Sequence, residues 1–161
     1  MKSASEYMKF PVDVAIVNLG GLRTIVPQGP ITVRKVFELM PFENELVVLW
    51  LKGDKLNALL QGFASIGGQG VAGLTFEIRK GKAENILIGG VPIDLNKTYT
   101  VATNDYLAAG NDKMEPLAQS IKSEFTNIKI RDMLLDFIKN ETAQGRKITS
   151  SLDGRIKIVT N

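Results

Sequence analysis

The chain has 161 residues, 44% hydrophobic and 23% charged, with 20 Lys and Arg against 17 Asp and Glu for a net charge of +3. That is the length of one domain, able to bury roughly two-thirds of its unfolded surface, and the composition excludes wholesale disorder. The thinly spread positive charge suits an anionic ligand but does not form a nucleic-acid footprint.

In chain order, Ser3 to Lys9 is predicted to be the tail of a helix ended by Pro11. No apolar run of signal-peptide length opens the chain, and no stretch is long enough to span a bilayer. The abrupt entry into Val12 to Val17, a buried strand, suits either a cytoplasmic protein or one trimmed of a preceding segment. Asn18-Leu19-Gly20-Gly21 then turns, the paired glycines permitting a close backbone approach. After the loop Pro27 to Pro30, Thr32 caps a helix with Val33, Val36, Phe37 and Met40 on one side, stopped by Pro41.

Leu46 to Leu51 is a second buried strand, and Gly53-Asp54 opens a helix presenting Leu56, Leu59, Leu60 and Phe63. Ser65 to Gly73 is a glycine-rich loop. Leu74, Phe76 and Ile78 alternate with polar residues as a half-buried strand, followed by a turn at Lys80 to Lys82 and a strand around Ile86 to Ile88. Pro92 to Asp94 turns into a strand at Thr98 to Thr103. Ile130, Met133, Leu134, Phe137 and Ile138 follow helical spacing, and Asp153-Gly154 leads to a closing strand at Arg155 to Val159. Strands and helices mix without βαβ alternation, so the expected fold is α+β, a mixed sheet with packed helices, in a single domain over residues 1–161.

The chain contains neither cysteine nor histidine. Disulfides, thiolate metal sites, a Ser-His-Asp triad and a histidine-bearing zinc centre are therefore excluded, and the commonest general base is missing. Gly68 to Gly73 matches G-x-G-x-x-G, but a helix precedes it and a strand follows, the reverse of a dinucleotide fingerprint. Gly68 is better placed in a loop bordering a pocket. Asp132 and Asp136 lie opposite the apolar stripe of their helix among Arg131 and Lys139, the pattern of a solvated face. Asp105 and Asp112 open from a strand end and suit loop fixing better than acid-base work. Arg23 offers a donor fork for a carboxylate, phosphate or ribose hydroxyls, and Phe42 is either core or a stacking ring.

Several motifs in order carry a resemblance. Asp13 to Arg23 contains N-x-G-G-x-R, Pro27 to Thr32 is P-x-G-x-I-T, and Pro41 to Leu46 is P-F-x-N-x-L. Lys97 to Ala108 reads K-x-Y-x-V-A-T-N-D-Y-L-A, and the stretch runs on to Asp112. Together they resemble the C-terminal, substrate-recognition domain of the 5'-nucleotidase family, densely from Asp13 to Asp112.

The resemblance implies a domain that holds the nucleoside of a nucleotide while a metallophosphoesterase domain, in cis or in trans, hydrolyses the phosphomonoester. It places Asn18, Gly20, Gly21 and Arg23 in the turn that grips ribose and base, and Phe42 as one stacking ring. Met114 falls where the family's G-G-D-G-F or G-G-D-G-Y stretch ends in a second aromatic. Gly68, Asn104, Asp105, Asn111 and Asp112 fall in pocket loops. The family's divalent metals belong to the catalytic domain, whose D-x-H and G-N-H-D motifs have no counterpart here. It further implies a truncated N-terminal helix, a periplasmic or envelope location, and no nucleic-acid partner. The alternative reading is a non-catalytic binding module whose nucleoside pocket has drifted.

Overall fold

The computed structural model describes residues 2–160. Two sheets form the frame. A five-stranded sheet runs in the order β3 (Gly70–Ala72), β1 (Val14–Val17), β7 (Thr98–Asn104), β2 (Glu45–Lys52), β8 (Lys122–Lys129). A four-stranded sheet runs β6 (Val91–Pro92), β5 (Lys82–Ile88), β4 (Leu74–Arg79), β9 (Ile156–Ile158). Among the described residues only β1 with β7 and β4 with β9 are parallel; the other pairs are antiparallel. The fold is α+β, as the mixed order of elements leads one to expect.

Strand β2 shows why the larger sheet is buried on both faces. Its residues alternate, so Val47, Leu49 and Leu51 join the main core while Leu46 and Val48 join a second cluster. The main core lies between the two sheets and is filled by α3 (Gly53–Ser65), whose Leu56, Leu59, Leu60 and Phe63 are buried. The short helices α4 (Asp105–Ala108) and α5 (Glu115–Ala118) add Leu107 and Leu117 to it. On the opposite face, Ala4 and Met8 of α1 (Lys2–Met8) and Ile130 and Met133 of α6 (Ile130–Ala143) cover the second cluster.

Helix α3 starts where a side chain would not fit. An ideal Cβ on Gly53 would lie 2.0 Å from the Asp94 carbonyl oxygen, and the Gly53 and Asp54 amides donate to Lys97 O and Leu95 O. The 94–97 turn thus satisfies two of the helix's free N-terminal donors.

Three expectations need correction. The glycine-rich loop is not loop throughout, because Gly70–Ala72 pairs with Val17–Ala15 as β3. Strand β8 was not foreseen, having no fully buried residue and hence little hydrophobic signal. In α2 (Val33–Leu39), Thr32 caps the helix by accepting from the Lys35 amide, but Val36 is the only buried residue and Val33 and Phe37 are exposed.

Candidate functional site

Topology gathers the motif-bearing loops at one edge of the larger sheet. Strands β1 and β7 run parallel, so Asn18 and Asp105 leave the sheet at the same edge. Antiparallel β2 pairs Leu46 with Asn104, and antiparallel β3 pairs Gly70 with Val17, so both strands begin at that edge. Loops 18–23, 40–45, 66–69 and 105–114 therefore converge.

Asn18 follows the last residue of β1 and accepts the Gly21 amide on its carbonyl, starting a 3-10 turn at Leu19–Gly21. Its side-chain amide donates to Asp112 Oδ2 at 2.6 Å. Asp112 Oδ1 accepts the Tyr106 hydroxyl at 2.9 Å, and the Asn111 side-chain amide donates to the Tyr106 carbonyl at 2.8 Å. The hydrogen bond to the Asp112 carboxylate is the main cause holding the Tyr106 phenol above its ordinary pKa, with burial and the Asp112 charge adding to it. Asp112 and Lys113 reach this geometry with φ of 57° and 61°, in the left-handed region.

Gly21 has little room: a Cβ would come within 2.9 Å of Asn18 Oδ1. Gly20, by contrast, faces open space, and its carbonyl accepts from Arg23 Nη1 at 3.2 Å. The Arg23 guanidinium carbon sits 5.9 Å from the centroid of the Phe42 ring. The Phe42 segment is tied in turn to α4, since the Asn44 side-chain amide and the Glu45 amide both donate to Asp105 Oδ1. Contacts thus close a circuit through Phe42, Arg23, the Gly20 turn, Asn18, Asp112, Tyr106, Asp105 and Asn44. Two rings stand half-exposed on it: Phe42 at 50% and Tyr106 at 45%.

The residues singled out in the sequence take different places. Asn18, Arg23, Phe42, Asp105, Asn111 and Asp112 meet in the circuit. Asn104 is buried and caps α4 by accepting the Leu107 amide. Gly68 packs against Ile156 of β9, and it is Gln69 that joins its loop to the site by accepting the Leu19 amide at 2.8 Å. Met114 corrects an expectation. It is 1% exposed within the main core and offers no face to a ligand.

The residue that motif reading missed is Tyr106. The available signal was its position, two residues past the end of β7 and six before Asp112. An aromatic just beyond a strand end, followed by a turn, points outward as readily as inward.

Among the described residues no group of three His, Cys, Asp or Glu side chains is arranged to hold a metal ion. The donors here do not fit a dimetal centre. No helix among them is long and apolar enough to cross a membrane. A separate cavity of about 350 Å³ borders Gly73, Leu74, Gly89, Asp153 and Arg155. Its charged groups satisfy one another, the Arg155 guanidinium holding the Asp153 carboxyl down to about 2.

Comparison with known proteins shows the family and the fold. The family described as "5'-nucleotidase, C-terminal domain" matches residues 4–119. A trifunctional nucleotide phosphoesterase, YfkN, of Bacillus subtilis is 30% identical over 91% of the chain, and a 5'-nucleotidase of Vibrio vulnificus is 30% identical over 68%. The crystal structure of a 5'-nucleotidase precursor from Thermus thermophilus superposes with a TM-score of 0.83 over 98% of the chain, at 30% identity. The chain spans only 11%, 21% and 33% of the lengths of these three proteins.

Proposed function

The chain belongs to the 5'-nucleotidase C-terminal domain family, and from that premise we propose that it recognises the nucleoside of a nucleotide substrate. The observation that carries this reading is the pair of half-exposed rings, Phe42 and Tyr106, set on one circuit with Asn18, Arg23 and Asp112. A nucleobase stacks between the two rings, each face contributing roughly 1–3 kcal/mol. The Asp112 carboxylate accepts from ribose hydroxyls or base N–H groups, and Asn18 supplies both a donor and an acceptor. Arg23, which has no carboxylate partner among the described residues, offers its remaining N–H groups to ribose oxygens or a phosphate.

Chemistry belongs elsewhere in this reading. Without histidine, and with Asp105 and Asp112 already accepting hydrogen bonds from neighbouring groups, the site has no residue suited to activating water. A metallophosphoesterase domain of the same family supplies the metals and hydrolyses the phosphomonoester. Export to the periplasm or cell envelope goes with that partnership. The drifted-pocket alternative rests on Lys113 and Met114 standing where the family has a glycine and an aromatic ring; the exposed Tyr106 ring on the circuit favours nucleoside recognition over it.

Joining this chain to the metal domain of a family member should raise turnover of nucleoside monophosphates above that of the metal domain alone. Identical turnover with and without the chain would overturn the proposal.

A further inference from the structure

We propose that Arg131, in the first turn of α6, is a positioning residue for the Phe42 ring. Its side chain is 7% exposed although its helix was expected to present it to solvent. Nη1 donates to the carbonyls of Met40 and Pro41, both at 3.3 Å, and Nη2 donates to Glu43 Oε1 at 3.2 Å. The guanidinium carbon lies 4.0 Å from the centroid of the Phe37 ring. The backbone is therefore gripped immediately before Phe42, and the side chain immediately after it is gripped too. The next turn of contacts extends the hold: Ile130 N donates to Asn44 O at 3.0 Å, and Lys129 pairs with Glu45 at 2.9 Å.

A purely structural role accounts poorly for an arginine here. Pro41 and Glu43 are exposed and Met40 is half-buried, so the fork closes on a surface turn and not on a buried core segment. Arg131 Nε is buried without a hydrogen-bond partner among the described residues, a cost that an apolar side chain of similar shape would avoid. What arginine alone provides is a rigid planar fork that spans two successive carbonyls and a carboxylate while stacking on a ring. That fork sets the path of residues 40–43, and with it the direction of Phe42. It also brings α6, which lies beyond the 4–119 family match, into the site.

The consequence for affinity rests on the reading of Phe42 as a base-stacking residue; the positioning itself does not. A ring held in place before binding has less freedom to lose, a difference of about two- to tenfold in Kd.

The test uses the full chain labelled with 4-fluorophenylalanine, its Phe42 fluorine signal assigned by Phe42→Leu. In Arg131→Met the Phe42 signal should move toward that of the free amino acid, while those of Phe63 and Phe76 in the core stay in place. The Kd for adenosine should rise about two- to tenfold with little change in thermal midpoint. Phe37→Leu removes only the stacking partner, at an exposed position, and should give a smaller shift in the same direction. It decides the matter if Arg131→Met fails to fold. An unmoved Phe42 signal in the folded variants overturns the proposal, as does a shift of all phenylalanine signals together with a lower midpoint. If the wild-type chain binds no adenosine, the nucleoside-recognition reading falls, and the fluorine signals still decide whether Arg131 positions Phe42.

Discussion

At the scale of single residues, the site depends on a small clip in which Asp112 accepts from both Asn18 and Tyr106. The Tyr106 phenol is raised above its ordinary value of 10.0, so the folded chain holds that proton more tightly than the unfolded one. The contribution linked to the Tyr106 proton is complete as pH falls just below 10 and fades as pH rises from there through the folded value. The phenolate absorbance that Tyr106→Phe removes should titrate above pH 10 in the folded chain, and Asp112→Asn should bring it back toward pH 10. An unchanged titration would show that the Asp112 carboxylate is not the cause.

Lys113 sits beside the clip with φ of +61°, a conformation that costs a side chain with a Cβ about 1 kcal/mol. Lys113→Gly should stabilise the chain by about that amount in urea denaturation. A loss of stability would mean that the lysine side chain makes a contact worth more than the strain. Met114 illustrates a limit of reading along the chain. Its place in the motif suggested a pocket residue, yet the turn through Asp112 and Lys113 sends it into the core. Motif position counts residues and does not register which way a side chain faces after two left-handed residues in succession.

At the scale of elements, legibility followed burial. Helix α3 is readable because its apolar residues keep a helical period against the core, and β2 because it is a continuous apolar run buried on both faces. Strand β8, KSEFTNIK, has no fully buried residue, because it lies at a sheet edge and pairs on one side alone. Strand β3 is three residues long and hidden among glycines. Helical spacing locates α6 but puts Arg131 on its solvated face, because spacing cannot foresee that the Met40–Pro41 turn lies over that residue.

Gly53 tests the joint between β2 and α3. A Cβ there would meet the Asp94 carbonyl oxygen at 2.0 Å, against backbone that itself caps the helix. Gly53→Ala should therefore cost about 3 kcal/mol of unfolding free energy in urea. A loss below about 0.5 kcal/mol, the range of an ordinary surface substitution, would show that the 94–97 turn yields easily.

At the scale of the whole molecule, the chain is a frame that delivers four loops to one sheet edge. Two parallel strands end there and two antiparallel strands begin there. That convergence could not be read from the sequence, because it depends on strand order and direction. The motif composition of the loops could be read, and with it the family. The absence of histidine fits the proposed division of labour, in which this chain recognises a nucleoside and a metal domain activates water.

The most direct test of this account is calorimetric titration of the chain with adenosine and adenosine monophosphate, repeated for Phe42→Ala and Tyr106→Ala. The account predicts saturable binding by the wild-type chain, weakened about tenfold or more by removal of either ring, with Met114→Ala leaving the affinity of the folded chain unchanged. Absence of binding by the wild-type chain, or affinity indifferent to both rings, would contradict it.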